Sequence, residues 1–229
     1  MSKVMEDRTQ ERQFQIMLDY RREHGLETLG LMTNQAWLDD PKRLIFTLSR
    51  YKFVAKMFSG RKHVLEVGCG DAFFTRLVAA DVGKLTAVDF DPLFVQDVNR
   101  RMSTRWKFEC IEHDMLRGPV PGNYDAMYSL DVLEHILPSN EDIFLRNMFS
   151  SLDADGAAII GIPSLESQQF ASQISKDGHV NCKSMPDLKS SLTNYFHNVF
   201  VFSMNDEVVH TGFHKMSHYL IALCCGRRV

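Results

Sequence analysis

Between Leu44 and Phe58 the apolar residues fall three and four positions apart, at Leu44, Ile45, Leu48, Tyr51, Val54, Ala55 and Phe58. That spacing marks one buried helix face. Asp40 precedes it as a cap, Pro41 fits the first turn and Gly60 ends it, so a helix is predicted over Asp40–Phe58. The first sixty residues as a whole read as helical. From His63 the rhythm changes, and short apolar runs alternate with amphipathic stretches. HVLEV is followed by a helix from Asp71, KLTAV by a helix after Pro92, and WKFECI, YDAMYSL and AAIIGI continue the series. Ser139–Leu152 reads as a further helix, with Ser139 and Asp142 at capping-box spacing.

Strands alternating with helices through short connections imply a parallel sheet covered on both faces. A polar stretch, Pro163–Lys183, interrupts the pattern, and loops of that length in compact domains are commonly functional or disordered. Ser184 and Asp187 open one more helix. The chain then closes with two apolar runs, VFVFSM and HYLIALCC, whose succession without a helix predicts a terminal hairpin. The expected organisation is a helical N-terminal extension over residues 1–60 and one α/β domain over 61–229.

Composition narrows the class. At 229 residues and 45% hydrophobic, the chain is long enough for one α/β domain with a sizeable core. With 26 basic and 29 acidic side chains the net charge is −3, and no basic cluster exceeds the Arg21-Arg22 and Arg227-Arg228 pairs. That disfavours a nucleic-acid partner. No apolar run reaches the ~20 residues of a membrane span, and the charged N-terminus lacks the core of a secretory signal. No membrane partner is expected. Cys69, Cys110, Cys182, Cys224 and Cys225 are odd in number and lack zinc or redox spacing, so reduced cysteines in a cytoplasmic protein are expected. A strand through YLIALCC would point Cys224 and Cys225 to opposite faces.

The chemistry is concentrated in VLEVGCGDA, Val64–Ala72, where a strand runs into a glycine turn and a helix. Gly68 and Gly70 let the backbone bend tightly and approach a ligand. Glu66, at the strand end, is placed to accept from a ligand amine. Asp89 closes the next strand, where a carboxylate can take both hydroxyls of a ribose. Together they indicate a nucleoside-containing cofactor. A dinucleotide fingerprint would need a small residue where Phe73 stands, and no P-loop is present. A negative Glu66 suits a ligand bearing an ammonium and a sulfonium and would repel a pyrophosphate.

The acid-x-Gly-x-Gly order resembles motif I of class I methyltransferases, with Ala72 in place of the family's third glycine. Further segments carry the resemblance: His113-Asp114-Met115 after the third strand, YDAMYSLDVLEHI at the fourth, and DGAAIIGIPS at the fifth. The match runs from Lys62 to Ser164. It implies a Rossmann-like sheet of seven strands, the last one antiparallel, and S-adenosyl-L-methionine as cofactor. By the resemblance Asp114 meets the adenine amino group, and the backbone at Ser129 and Leu130 faces the methionine part. Cys69 in the glycine turn, Phe90 after Asp89 and Met115 complete the expected cofactor set.

Methyl transfer needs an aligned acceptor, exclusion of water and, for an oxygen acceptor, a base of near-neutral pKa. His135 in DVLEHI can be that base, a substrate ligand or a brace for the following turn. His179 in DGHVN lies where relatives often set a histidine over the acceptor pocket, and a solvated loop histidine is the alternative. Asp131 is the third candidate. His210, His214 and His218 are spaced by four, but Gly212 and the β-like flanks argue against a helix, so no metal is expected there. The acidic trio of a magnesium-dependent catechol-type enzyme is also not evident. The N-terminal helices are read as a lid, with Trp37, Tyr51 and Phe53 either lining the acceptor site or packing helices onto the sheet.

The leading expectation is transfer to a hydroxyl or amine of a small soluble metabolite, by a monomer or homodimer. DPKRLIFTLSRYKFVAKM and GIPSLESQ…GHVNCKS are similar to methyltransferases of bacterial surface-sugar and natural-product pathways, which implies a sugar or polysaccharide precursor. The alternatives are a protein or nucleic-acid methyltransferase and a catalytically silent cofactor-binding subunit. Against nucleic acid, the [DNS]-P-P-[YF] motif of amino-methylating enzymes is replaced by SLDVLE.

Overall fold

A computed structural model describes residues 8–228. Three helices open it: α1 (Gln15–His24), α2 (Leu31–Asp39) and α3 (Lys42–Phe58). The alternating region follows as β1 (His63–Val67), α4 (Thr75–Ala79), β2 (Lys84–Asp89), α5 (Pro92–Arg101), β3 (Glu109–Glu112), β4 (Tyr124–Leu130), α6 (Glu141–Ser150) and β5 (Leu152–Pro163). The polar stretch holds a 3-10 turn at Glu166–Phe170 and α7 (Gln173–Gly178). The chain ends with α8 (Met185–Thr193), β6 (Phe196–Asn205), β7 (Val208–His210) and β8 (Tyr219–Arg227). Residues 1–7 of the expected extension lie outside the described residues.

All strands form one sheet in the order β3-β2-β1-β4-β5-β8-β6-β7. β1 to β5 are mutually parallel, and β8 inserts antiparallel between β5 and β6. The described strands number eight, one more than the seven expected. The extra strand is β7, which folds back on β6 through Asp206 and Glu207. Asp206 adopts φ +49, the left-handed conformation that tight two-residue hairpin turns require. A three-residue strand leaves too short an apolar run to be read from sequence.

Alternation along β1 sorts the core. Leu65 and Val67 face a cluster with Phe144, Leu145, Met148 and Phe149 of α6 and Leu188 and Leu192 of α8. Val64 faces the other cluster, with Tyr51, Val54 and Phe58 of α3, Val78 of α4, and Val95 and Val98 of α5. Helix α3 is therefore a layer of the sheet rather than a detached appendage. Cys224 joins the first cluster and Cys225 packs against the second, on opposite faces as expected. All five cysteines are free thiols. No helix among the described residues is long and apolar enough to cross a membrane.

Three helix starts differ from expectation. Helix α3 begins at Lys42 rather than Asp40, with Pro41 at the cap position. The helix predicted from Asp71 begins at Thr75, because Gly70 and Ala72 both take positive φ, +52 and +48, and hold the chain in a turn. The α6 capping box does not form, since Pro138–Asn140 makes a 3-10 turn ahead of the helix. The Asp142 carboxylate accepts instead from Arg146 and Tyr195. The α8 start predicted at Ser184 is present, with Ser184 as its cap, and Asp91 caps α5.

Candidate active site

The strand order reverses between β1 and β4, and crevices at the carboxyl ends of strands at such a switch are where open α/β sheets bind ligands. Four of the expected residues, Gly68, Cys69, Gly70 and Asp89, meet there. The amides of Gly68 and Cys69 both donate to the Val88 carbonyl, tying the glycine turn to β2. The Gly70 amide donates to Asp89 Oδ2 at 2.8 Å, and Asp89 Oδ1 accepts from the Asp91 amide at 3.0 Å. Asp89 is thus fixed over the turn, and each oxygen keeps a second lone pair.

Gly68 is required by space as well as by conformation, whereas at Gly70, φ +52, conformation decides. A Cβ on Gly68, at φ +76, would lie 2.3 Å from Val132 Cγ2, and one on Gly70 would lie 2.8 Å from Met32 Sδ. Met32 belongs to α2, so that helix covers the turn. Asp71 fastens it, accepting from the Thr33 amide at 2.7 Å and from the Thr33 hydroxyl at 3.2 Å. Trp37, also on α2, is exposed; Tyr51 is buried and Phe53 packs on Phe202.

Glu66 is buried below the turn, and its oxygens accept from the Tyr51 and Thr75 hydroxyls at 2.7 and 2.6 Å. Burial pushes its carboxyl up to about 7, against the opposing pull of those hydrogen bonds. The raised value means the folded protein holds this proton to higher pH than the unfolded chain. Stability contributed by the protonated form is full below pH ~4.5 and is lost as pH rises towards 7. Glu66→Gln, which keeps the hydrogen-bonding shape without a charge, is expected to abolish this share of the pH slope. Denaturant melts from pH 4.5 to 7.5 measure it, and a variant with an unchanged slope would show that Glu66 does not carry the proton.

The other expected cofactor residues are placed as follows. Phe90 is exposed beside Asp89. Asp114 accepts from the Leu116 amide at 2.9 Å and pairs with Arg117 at 3.3 Å. Met115 packs its side chain into the core, and its carbonyl accepts from Asn147. Ser129 turns its hydroxyl onto the Val67 carbonyl, and Leu130 is buried. Cys69 is buried, its Sγ 4.0 Å from that of Cys110.

Beyond β4 the chain enters a strained corner. Asp131 takes φ +58, and its carboxylate is held at both oxygens by Arg50 of α3, at 2.9 and 2.7 Å. Arg50 lies 3.7 Å over the Tyr219 ring. Burial works against its charge, but Asp131 and the other acidic groups nearby raise its pKa overall. A 3-10 turn, Leu133–His135, follows. The polar loop docks on this turn, because the Val180 and Asn181 amides both donate to the Glu134 carbonyl. His135 and His179 thereby stack edge-on with ring centroids 5.1 Å apart. Burial, then the neighbouring His135, lowers the His179 pKa and favours its neutral form.

His210, His214 and His218 do not converge. His210 Nε2 faces Asn205, His214 lies 4.0 Å from Glu166, and His218 Nε2 accepts from the Asp206 amide. Sequence reasoning passed over Arg50 and Glu134. Nothing marks Arg50 among the helix's other cations, whereas Glu134 stands inside the VLEH segment.

Residues 64–156 match the family model described as "Methyltransferase domain". The ubiquinone biosynthesis O-methyltransferase of Xanthomonas campestris pv. campestris (strain B100) is 25% identical over 120 residues, 48% of this chain and 49% of that protein. The mitochondrial ubiquinone biosynthesis O-methyltransferase of Schizosaccharomyces pombe is 24% identical over 107 residues, 45% of this chain and 38% of that protein. The chain spans about half the length, or less, of these curated relatives. Among solved structures, N-methyltransferase NodS from Bradyrhizobium japonicum WM9 with S-adenosyl-L-homocysteine superposes with a TM-score of 0.60 at 19% identity. It covers 82% of this chain and 90% of that one. A DhpI–SAM–HEP complex gives a TM-score of 0.60 at 16% identity, covering 94% and 99%.

Proposed function

We propose that this chain, which carries a class I S-adenosylmethionine-dependent methyltransferase domain, transfers a methyl group to a hydroxyl or amine of a small metabolite. The observation that carries the reading is the joint placement of Gly68, Gly70 and Asp89. A close-approach glycine turn and a fixed strand-end carboxylate meet at the sheet's switch point, which is the cradle a ribose-bearing cofactor needs. Asp89 would take the ribose hydroxyls, Phe90 and Asp114 the adenine, and the backbone at Gly68, Ser129 and Leu130 the methionine end. Bound there, S-adenosylmethionine supplies an electrophilic methyl group on a sulfonium.

The chain's own part is to hold the acceptor in line with that methyl, exclude water and receive a proton. Glu66 braces the floor through Tyr51 and Thr75. Helix α2, held by Asp71, acts as the lid of the N-terminal extension. His135 and His179 stand at the β4 exit, where the acceptor would lie, and His179 is biased towards the neutral form a base requires. That favours a hydroxyl over an amine, which needs no base. Asp131 is engaged by Arg50, so it positions the corner rather than taking the proton.

Within the small-molecule class we favour a sugar or surface-polysaccharide precursor, on the likeness of the α3 and polar-loop segments to enzymes of such pathways. Methyl-labelled cofactor incubated with the protein and a size-fractionated cell extract is expected to put label in the small-molecule fraction. Label in protein or nucleic acid would refute the substrate class. Tight cofactor binding without any transfer would favour a silent subunit.

A further inference from the structure

Glu134, His135 and His179 reach one point from two separate segments, the turn after β4 and the end of α7. One ligand atom from each lies within 4.8 Å of the others. The decisive member is Glu134. It is 1% exposed, and neither carboxylate oxygen has a hydrogen-bond partner. A buried carboxylate left in that state is costly unless a cation or a donor meets it. Arg50 acts on it only through space: both of its hydrogen bonds run from Nη1 to Asp131, and no donor among the described residues reaches the Glu134 oxygens.

The histidines are oriented to match. His135 Nδ1 lies 2.9 Å from the Gly178 carbonyl, and His179 Nδ1 lies 2.8 Å from Gln168 Oε1. Both partners only accept, so each Nδ1 carries the hydrogen and each neutral ring keeps its lone pair on Nε2. Imidazoles that bind metal ions are held in this way, with the second nitrogen donating to an oxygen.

We propose that Glu134, His135 and His179 bind a divalent first-row metal ion, of the zinc or manganese kind, that holds the acceptor's hydroxyl. One carboxylate and two imidazoles is a donor set that leaves coordination positions open for substrate. The inference rests on the reading that the acceptor sits at the β4 exit. The ion lowers the pKa of a bound hydroxyl, whose proton passes to solvent. The resulting oxygen bonds to the methyl carbon as the carbon–sulfur bond breaks and its electron pair stays on sulfur. The two histidines then act as ligands, and the ion takes over the activation otherwise left to a base.

The test uses untagged protein, stripped with chelator and dialysed, titrated calorimetrically with Zn²⁺ and by electron paramagnetic resonance with Mn²⁺. S-adenosylmethionine binding is measured in parallel. One ion per chain is expected, with Glu134→Gln and His179→Gln each weakening it roughly tenfold or more while cofactor affinity is kept. His135→Ala, at an exposed position, is expected to weaken the ion equally and tests the same site should a buried variant fail to fold. No ion bound by wild type, or binding unchanged in these variants, overturns the site. Metal binding without cofactor binding would leave it standing and sink the methyl-transfer reading instead.

Discussion

Asp89→Ala is expected to lower affinity for S-adenosylmethionine at least about a hundredfold while leaving the chain folded. Two charge-assisted hydrogen bonds to ribose hydroxyls are worth roughly 1.5–3 kcal/mol each, and alanine removes both. A loss of ~3 kcal/mol already corresponds to two powers of ten in Kd. The same substitution frees the Gly70 and Asp91 amides, so the turn keeps only its backbone tie to β2 through the Val88 carbonyl. Isothermal titration gives the affinity, and a thermal melt confirms the fold. Asp89→Asn keeps one acceptor oxygen and should fall between wild type and alanine. Wild-type affinity in the alanine variant would remove Asp89 from the cofactor site.

The second large effect belongs to Gly68→Ala. At φ +76 an alanine costs about 1–2 kcal/mol in backbone strain alone. Its methyl would also sit 2.3 Å from Val132 Cγ2, and forcing an extra carbon into a packed site costs typically 1–3 kcal/mol more. The sum, about 3 kcal/mol, is a large share of an ordinary domain's stability. Because Val132 is β-branched and stiff, it cannot turn aside cheaply. Adding Val132→Ala should recover the steric part and leave the strain, so a double-mutant cycle in denaturant should show a favourable coupling of ~1–2 kcal/mol. Purely additive variants would mean that the turn moves as a whole and that Val132 does not set its shape.

Much of this was readable from the chain. The strands from His63 to Val67, from Lys84 to Asp89 and from Tyr124 to Leu130 coincide with the apolar runs, because a parallel strand buried on both faces is apolar throughout. Gly68, Gly70 and Asp89 were also legible, since both the turn and the strand-end acid are set within a few neighbouring residues. Side-chain direction was not legible: Met115 turns its side chain into the core, and Ser129 turns its hydroxyl onto the Val67 carbonyl. Spacing along a strand fixes which residues reach its end, not which way each side chain faces against its neighbours. Asp71, read as the start of a helix, instead holds α2 from across the turn.

The sequence by itself determined the class of fold, the glycine turn with its strand-end acid and the closing antiparallel strand, because these follow from local periodicity, turn chemistry and short-range spacing. The tertiary structure alone decided the corner after β4. Arg50 meets Asp131 eighty-one residues away, and Val180 and Asn181 dock on Glu134 across more than forty. Those contacts bring His179 onto His135 and leave Glu134 buried without a partner. No pattern within one segment encodes them, since each depends on how a loop and a distant helix pack against the same turn.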